Sequence, residues 1–179
     1  MVTSIVLLVK EGSMKKKHAR TEKEIVEVYE RHYLMLYRIC FTYMKNRADT
    51  EDMVQETFMQ LMNKGPKFEN EEHEKAWLIR VATNLCKNKV KHWWSKNLSF
   101  GKKHEQMNAN DRMIDETLQV ILELPDKYKT VIYLFYYEEY TSVEISKMLG
   151  IPASTIRNHL HEARNILKDQ LGGDYIHET

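Results

Sequence analysis

The sequence predicts an all-α protein of two small helical domains joined by a flexible linker, the second containing a helix-turn-helix. Three observations carry that expectation. Six Gly and three Pro in 179 residues are too sparse to interrupt long polar–apolar patterns, and those patterns repeat at helical spacing with no alternating strand and no Asn-Gly hairpin signal. Periodicity lapses once, over the polar stretch "NLSFGKKHEQMNAND" at 97–111. Charge divides near the same place: residues 14–103 hold 19 Lys/Arg against 12 Asp/Glu, and residues 104–179 hold 7 against 13. A formal net charge of +1 conceals this asymmetry, which suggests two units with different partners.

Residues 1–20 form an N-terminal segment. The apolar run from Val2 to Val9 has no basic n-region and no small-residue cleavage site, and it falls far short of the ~20 residues that span a bilayer, so neither a signal peptide nor a membrane anchor is expected. The codons for Lys10-Glu11-Gly12 can spell a bacterial ribosome-binding sequence just ahead of Met14. Residues 1–13 are therefore expected to be a leader translated from a misassigned start.

The front unit is expected over 21–97. Thr21 with Glu24 is a capping-box signature, and Ile25, Val28, His32, Leu36, Ile39 and Tyr43 follow at helical spacing. A second helix lies in "RADTEDMVQETFMQLMNKGP", with Asp49 as its expected N-cap, Val54, Phe58 and Leu61 as its buried stripe, and Gly65-Pro66 as its stop. Glu51 and Gln55, and Asp52 and Glu56, stack at i,i+4. That acidic ridge reads either as a solvated face or as a docking surface for a basic partner. After the polar loop "KFENEEH", a third helix runs through "EKAWLIRVATNLCKNKVKHWWSK". Its expected apolar side is Trp77, Leu78, Val81, Leu85 and Val90. Arg80, Lys87, Lys89, Lys91 and Lys96 charge it, and no carboxylate occurs from Leu85 to Lys103. Cations neutralise phosphates and aromatics stack on bases, so this stretch suits single-stranded or opening DNA. Trp77 also reads as core, and Trp93 and Trp94 as a cover for the end of the domain.

A linker is expected at 98–114, a rear unit at 115–171 and a tail at 172–179. "DETLQVILELP" gives a short helix. "PDKYKTVIYLFYYEEY" gives a second, with Pro125 near its start and Val131, Leu134 and Phe135 inward. Thr141 and Glu144 then form another capping box, Ile145, Met148 and Leu149 an inner face, and Gly150 a left-handed helix end. Ile156, Leu160, Ala163 and Leu167 continue at helical spacing after a short turn. The arrangement reads as a helix-turn-helix or as a plain helical hairpin. Arg157, His161 and Arg164, at i, i+4 and i+7, face away from the apolar stripe. Ser154 and Thr155 sit at the helix start, where phosphate and base contacts are usual.

Some chemistries lack support. Cys40 and Cys86 lie in different helical patterns with no CxxC, as in a reduced, cytosolic chain. The eight histidines do not cluster as metal ligands. No Gly-rich phosphate loop and no nucleophile–base set supports an enzyme, so no metal, cofactor or small-molecule substrate is expected.

Together these segments resemble the extracytoplasmic-function (ECF) sigma factors, the smallest of the sigma-70-type initiation factors of bacterial RNA polymerase. "DTEDMVQETFMQLMNK" resembles the family's region 2.2, "EKAWLIRVATNLCKNKVK" its regions 2.3 and 2.4, and "LPDKYKTVIYLFYYEEYTSVEISKMLGIPASTIRNHLHEAR" its region 4. The resemblance spans about residues 25–171. It implies a cytoplasmic, non-catalytic protein that binds core RNA polymerase, through the β′ clamp helices and the β flap, and directs it to promoter DNA. It also implies an anti-sigma partner, often membrane-bound. Asp49, Glu51, Asp52, Gln55 and Glu56 would dock on the polymerase. The loop from Phe68 to His73 (Phe68 and Asn70 above all), with Trp77, Arg80, Asn84, Lys87 and Lys91, would open the −10 element and capture a flipped base. Ser154, Thr155, Arg157, Asn158, His161 and Arg164 would read the −35 element. Two departures weaken the last helix: relatives often carry Arg where this chain has His159 and Glu162. The −10 loop also carries Glu69, Glu71, Glu72 and Glu74, which should not press on phosphates. A stand-alone helix-turn-helix regulator, and a sigma-like polymerase binder without promoter specificity, are the alternative readings.

Overall fold

The computed structural model describes residues 20–97 and 113–171. The leader expected at 1–13, most of the expected linker and the tail lie outside the described residues. Among those described there are seven helices and no strand: α1 (Glu22–Met44), α2 (Arg47–Lys64), α3 (Glu71–Asn97), α4 (Glu116–Leu122), α5 (Asp126–Tyr136), α6 (Ser142–Leu149) and α7 (Ala153–Leu171). They fall into two compact units that divide between Gln106 and Met107.

In the front unit α1, α2 and α3 each pack on the other two. The predicted capping box opens α1: Thr21 Oγ1 accepts from the Glu24 N–H at 3.2 Å and the Thr21 N–H donates to Glu24 Oε2 at 2.7 Å. The helix ends on Lys45, in the left-handed region with φ 59°. One expectation for α2 fails. Its N-cap is Asn46, whose extended backbone lets its side chain accept from the Asp49 N–H at 2.9 Å. Asp49 sits in the first helical turn instead, where its charge still suits the positive end of the helix dipole. Both residue types cap well, and the helix takes the earlier one.

The buried stripe of α3 also differs from expectation. Leu78 is fully buried, but Trp77, Val81, Leu85 and Val90 are only half-buried. Ala76, Ile79, Ala82, Thr83 and Cys86 complete the inner face. A helix wedged against two neighbours has room for small side chains beside Leu78 and Ile79 at the closest approach, and the other bulky apolar groups lie on its flanks. Ile25, Leu36, Ile39 and Cys40 of α1 and Val54, Phe58 and Leu61 of α2 are buried in the same three-helix unit. Each such large apolar side chain contributes roughly 1.5–3 kcal/mol on burial. Cys40 and Cys86, both buried free thiols, are brought together. A hydrogen bond with Cys86, with burial, pushes the Cys40 thiol well above its usual range.

In the rear unit α5 is the hub, packing on α4, α6 and α7. Asp115 caps α4, its Oδ1 accepting from the Leu118 N–H at 2.8 Å. Val131 and Leu134 point inward as predicted. Phe135 is only half-buried, and Tyr128, Ile132 and Tyr133 fill the core in its place. The second capping box stands at the start of α6 (Thr141 N–H to Glu144 Oε2, 2.8 Å). Gly150 ends α6 at φ 68°, its N–H and that of Ile151 both donating to Ser146 O. Pro152 O accepts the first bond of α7 from the Ile156 N–H at 3.0 Å. Ile145, Met148, Ile156, Leu160, Ala163 and Leu167 close the inner face, with Leu149 half-buried at its rim. The helix-turn-helix is therefore α6, the turn 150–152, and α7.

Candidate nucleic-acid and protein interfaces

The loop between α2 and α3 is held by a residue that precedes α1. The Arg20 guanidinium donates to Leu61 O (3.2 Å), Gly65 O (3.3 Å) and Pro66 O, and it lies 4.8 Å from the centre of the Phe68 ring. Phe68 in turn sits against Trp77 (ring centres 5.8 Å) and, edge-on, against His73 (5.6 Å). The loop thus presents a half-buried aromatic pair at the start of α3. At 3.6 residues per turn, Trp77, Arg80, Asn84, Lys87 and Lys91 fall within an arc of about 80° on that helix. The last four are exposed. An aromatic platform at the head of a cationic face can stack a base while phosphates follow the cations. Asn70 has a different occupation: its Oδ1 accepts from the His73 N–H at 2.8 Å and caps α3.

The four loop acids divide. Glu71 pairs with Arg31 of α1. Glu74, largely buried, lies 3.3 Å from His32 Nε2 and 3.9 Å from Arg31 Nη2. Burial lowers the pKa of His32, and Glu74 opposes that shift. Glu69 and Glu72 are exposed. Two of the four acids are thus paired to α1, Glu74 largely buried and Glu71 exposed, and they pin the start of α3 to it.

The predicted acidic ridge is partly neutralised from within. Glu51 pairs with Arg47 at 2.8 Å, and Asp49 with Lys89 of α3 at 3.4 Å. Glu56 accepts from Gln60 at 2.9 Å, which leaves its charge in place. Asp52 is exposed, and Gln55 and Glu56 are half-exposed. The strongest part of the ridge is therefore Asp52–Glu56.

On α7, Ser154, Arg157, Asn158 and His161 are exposed on the side opposite the buried stripe, and Thr155 is half-buried. His161 Nε2 lies 3.2 Å from the Asn165 amide. Arg164 is displaced to the flank. Its Nε donates to the Tyr136 hydroxyl at 2.9 Å, and its guanidinium lies over Phe135 (5.2 Å) and Tyr136 (5.9 Å). His159 packs edge-on against Tyr128 at 5.4 Å. Glu162 is exposed.

Sequence reasoning missed Arg20, Arg31 and Tyr136. The partners of Arg20 lie 41 to 46 residues away and Tyr136 lies 28 residues before Arg164, so no local pattern signals either contact. Among the described residues no cluster of His, Cys, Asp or Glu could hold a metal ion, and no helix is long and apolar enough to cross a membrane.

Comparison with known proteins places these surfaces in a context. Residues 28–95 match the family model for Sigma-70 region 2, and residues 114–167 that for Sigma-70, region 4. The chain is similar to three proteins of Bacillus subtilis (strain 168). It is 28% identical to the ECF RNA polymerase sigma factor SigW over 83% of this chain and 87% of that protein. It is 29% identical to the RNA polymerase sigma factor SigV over 88% and 96%, and 30% identical to the ECF RNA polymerase sigma factor SigM over 80% and 93%. In fold it is similar to CnrH, solved in complex with the cytosolic domain of CnrY (TM-score 0.61, 16% identity, 96% of this chain and 97% of that one).

Proposed function

The chain belongs to the sigma-70 family, in its ECF group, and directs RNA polymerase to promoters; from that premise we propose which surfaces do the work. Residues 21–97 are the unit that binds core polymerase and the −10 element, 98–114 the linker, and 115–171 the unit that binds the −35 element. The Asp52–Glu56 part of the ridge docks on the β′ clamp helices, flanked by Asp49, Glu51 and Gln55, and the rear unit meets the β flap. Phe68 and Trp77 capture an unstacked −10 base. Arg80, Asn84, Lys87 and Lys91 follow the strand. Asn70 caps α3 through its Oδ1 and, exposed at the head of that helix, joins Phe68 in the −10 contact. Ser154, Thr155, Arg157, Asn158 and His161 face the −35 groove, and Arg164 reaches the adjacent phosphate from the flank. The protein has no chemistry of its own and acts in the cytoplasm. An anti-sigma factor, membrane-bound, holds it inactive; the fold's similarity to CnrH, solved with the cytosolic domain of CnrY, supports that partner.

The observation that carries the −10 assignment is the Phe68–Trp77 pair at the head of the cationic face of α3. The test is transcription in vitro with core polymerase and host promoters. Promoter-specific transcripts that need this chain, and that fall when Phe68 or Trp77 becomes Ala, are expected. Normal transcripts from both variants would remove the assignment.

A further inference from the structure

The geometry points to Arg20 as the positioning residue of the −10 pocket, which it builds by fixing the loop that carries Phe68. The inference rests on the assignment of Phe68 and Trp77 to base capture. Arg20 is the last residue before the α1 capping box, yet it reaches the far end of α2. The Leu61 carbonyl there already accepts from the Gly65 N–H at 2.9 Å, and Arg20 adds a second donor at 3.2 Å. Its other bonds go to Gly65 O and Pro66 O, two carbonyls of the irregular segment that leaves the helix. A cation at a helix C-terminus is favourable because the last carbonyls carry the negative end of the dipole. A planar guanidinium can serve several carbonyls at once and still stack a face on an aromatic ring, which an ammonium cannot do. Here that face meets Phe68. One side chain thus ties the helix end, the chain path out of it and the orientation of the aromatic group.

Gly65 agrees with this packing. Its φ is −58°, an ordinary value, so no backbone strain calls for glycine. A Cβ there would collide with Leu61 O and Arg20 Nη1. The space beside the helix end is filled by the guanidinium.

The experiment uses full-length protein assembled with core polymerase. The probe is the single-stranded non-template −10 segment of a promoter this holoenzyme transcribes, intact or with one abasic site walked along it. The readout is the ratio of intact to abasic affinity at the most sensitive position. Stacking one base on an aromatic gives roughly a 5- to 150-fold ratio. Arg20→Ala is expected to bring the ratio within about threefold of unity, as Phe68→Ala does, with core-polymerase affinity unchanged. Arg20→Lys is expected to restore only a small part of the discrimination. A ratio that stays at the wild-type value in Arg20→Ala and Arg20→Lys, while Phe68→Ala loses it, overturns the role of Arg20 and leaves base capture standing. A wild-type ratio in Phe68→Ala overturns base capture itself, and the role of Arg20 with it. A general loss of stability would weaken both probes together and leave their ratio intact, so it too counts against Arg20.

Discussion

Charge reversal at Asp52 and Glu56 should uncouple polymerase binding from folding. Two unit charges 4 Å apart interact by about 1 kcal/mol in bulk water and about 4 kcal/mol at an effective dielectric of 20. Exposed pairs measured by double-mutant cycles usually come to ~0.2–1 kcal/mol. Replacing attraction by repulsion doubles the difference, so each reversal should cost ~0.4–2 kcal/mol of binding and the pair ~0.8–4 kcal/mol. That is roughly a 4- to 900-fold rise in Kd, shrinking as salt rises.

The fold should barely respond. Asp52 is exposed beyond the first turn of α2, and Glu56 accepts from Gln60, a neutral neighbour on the same helix. Two lysines at i,i+4 repel by ~0.2–0.5 kcal/mol. Asp49→Lys provides the contrast. It reverses a charge that pairs with Lys89 and accepts from Asn46 Nδ2 at 2.8 Å, so it should lower stability as well as binding. The assay is core-polymerase binding by fluorescence anisotropy at two salt concentrations, beside urea unfolding of the free protein. Wild-type affinity in Asp52→Lys/Glu56→Lys, or a loss that salt does not reduce, would refute the reasoning.

Three further outcomes are expected. Gly150→Ala should cost ~1–2 kcal/mol in urea unfolding of the rear unit, because φ 68° strains a Cβ that would otherwise meet nothing within 4 Å; a cost above ~3 kcal/mol would mean a clash that is not there. His32 has a folded-state pKa lowered chiefly by burial, with Glu74 raising it and Arg31 and Lys75 lowering it, so the unfolded chain binds the proton more readily. Stability of the front unit should therefore be full above the unfolded value near 6.5 and fall as pH drops below it towards the folded pKa; His32→Gln should flatten that pH dependence of urea midpoints, and an unchanged slope would contradict it. Tyr136→Phe removes the acceptor that holds Arg164 Nε and should weaken holoenzyme binding to a −35 duplex about 3- to 10-fold by electrophoretic shift, since a net hydrogen bond contributes ~0.5–1.5 kcal/mol; no change would mean that Arg164 positions itself without it.

What the sequence reveals follows the range of the interaction. Thr21 and Thr141 meet their capping partners three residues on, and Gly150 declares its left-handed backbone by being glycine. Such features are legible because cause and effect share one turn of chain. The start of α2 is less so, since Asn46 and Asp49 are both sound caps and only the path of the chain out of α1 decides between them. The face of α3 is less so again. A periodicity argument weighted to large apolar residues finds Leu78 but passes over Ile79 and the small Ala76, Ala82, Thr83 and Cys86, which share the buried face set by the proximity of two other helices.

The same reasoning recasts the acidity of the −10 loop. In the sequence Glu69, Glu71, Glu72 and Glu74 are four equal obstacles to a phosphate. In three dimensions Arg31 and His32 take up Glu71 and Glu74, turning repulsion into the link that fixes the start of α3 beneath Phe68 and Trp77. Glu69 and Glu72 remain exposed with no such partner on α1, and Glu71, though paired, is exposed too. The site therefore gains its shape from acids paired to α1, Glu74 above all, and its affinity from cations that face outward. An acid-to-amide change at Glu72 should then help DNA binding, whereas the same change at Glu74 should hinder it, because an amide at Glu74 takes the anion from the buried His32 and leaves Arg31 held to the start of α3 by the exposed Glu71 alone. Measured as holoenzyme affinity for single-stranded −10 DNA, opposite signs from two neighbouring glutamates would support that division, and equal gains from both would show that Glu74 acts only as a phosphate repellent.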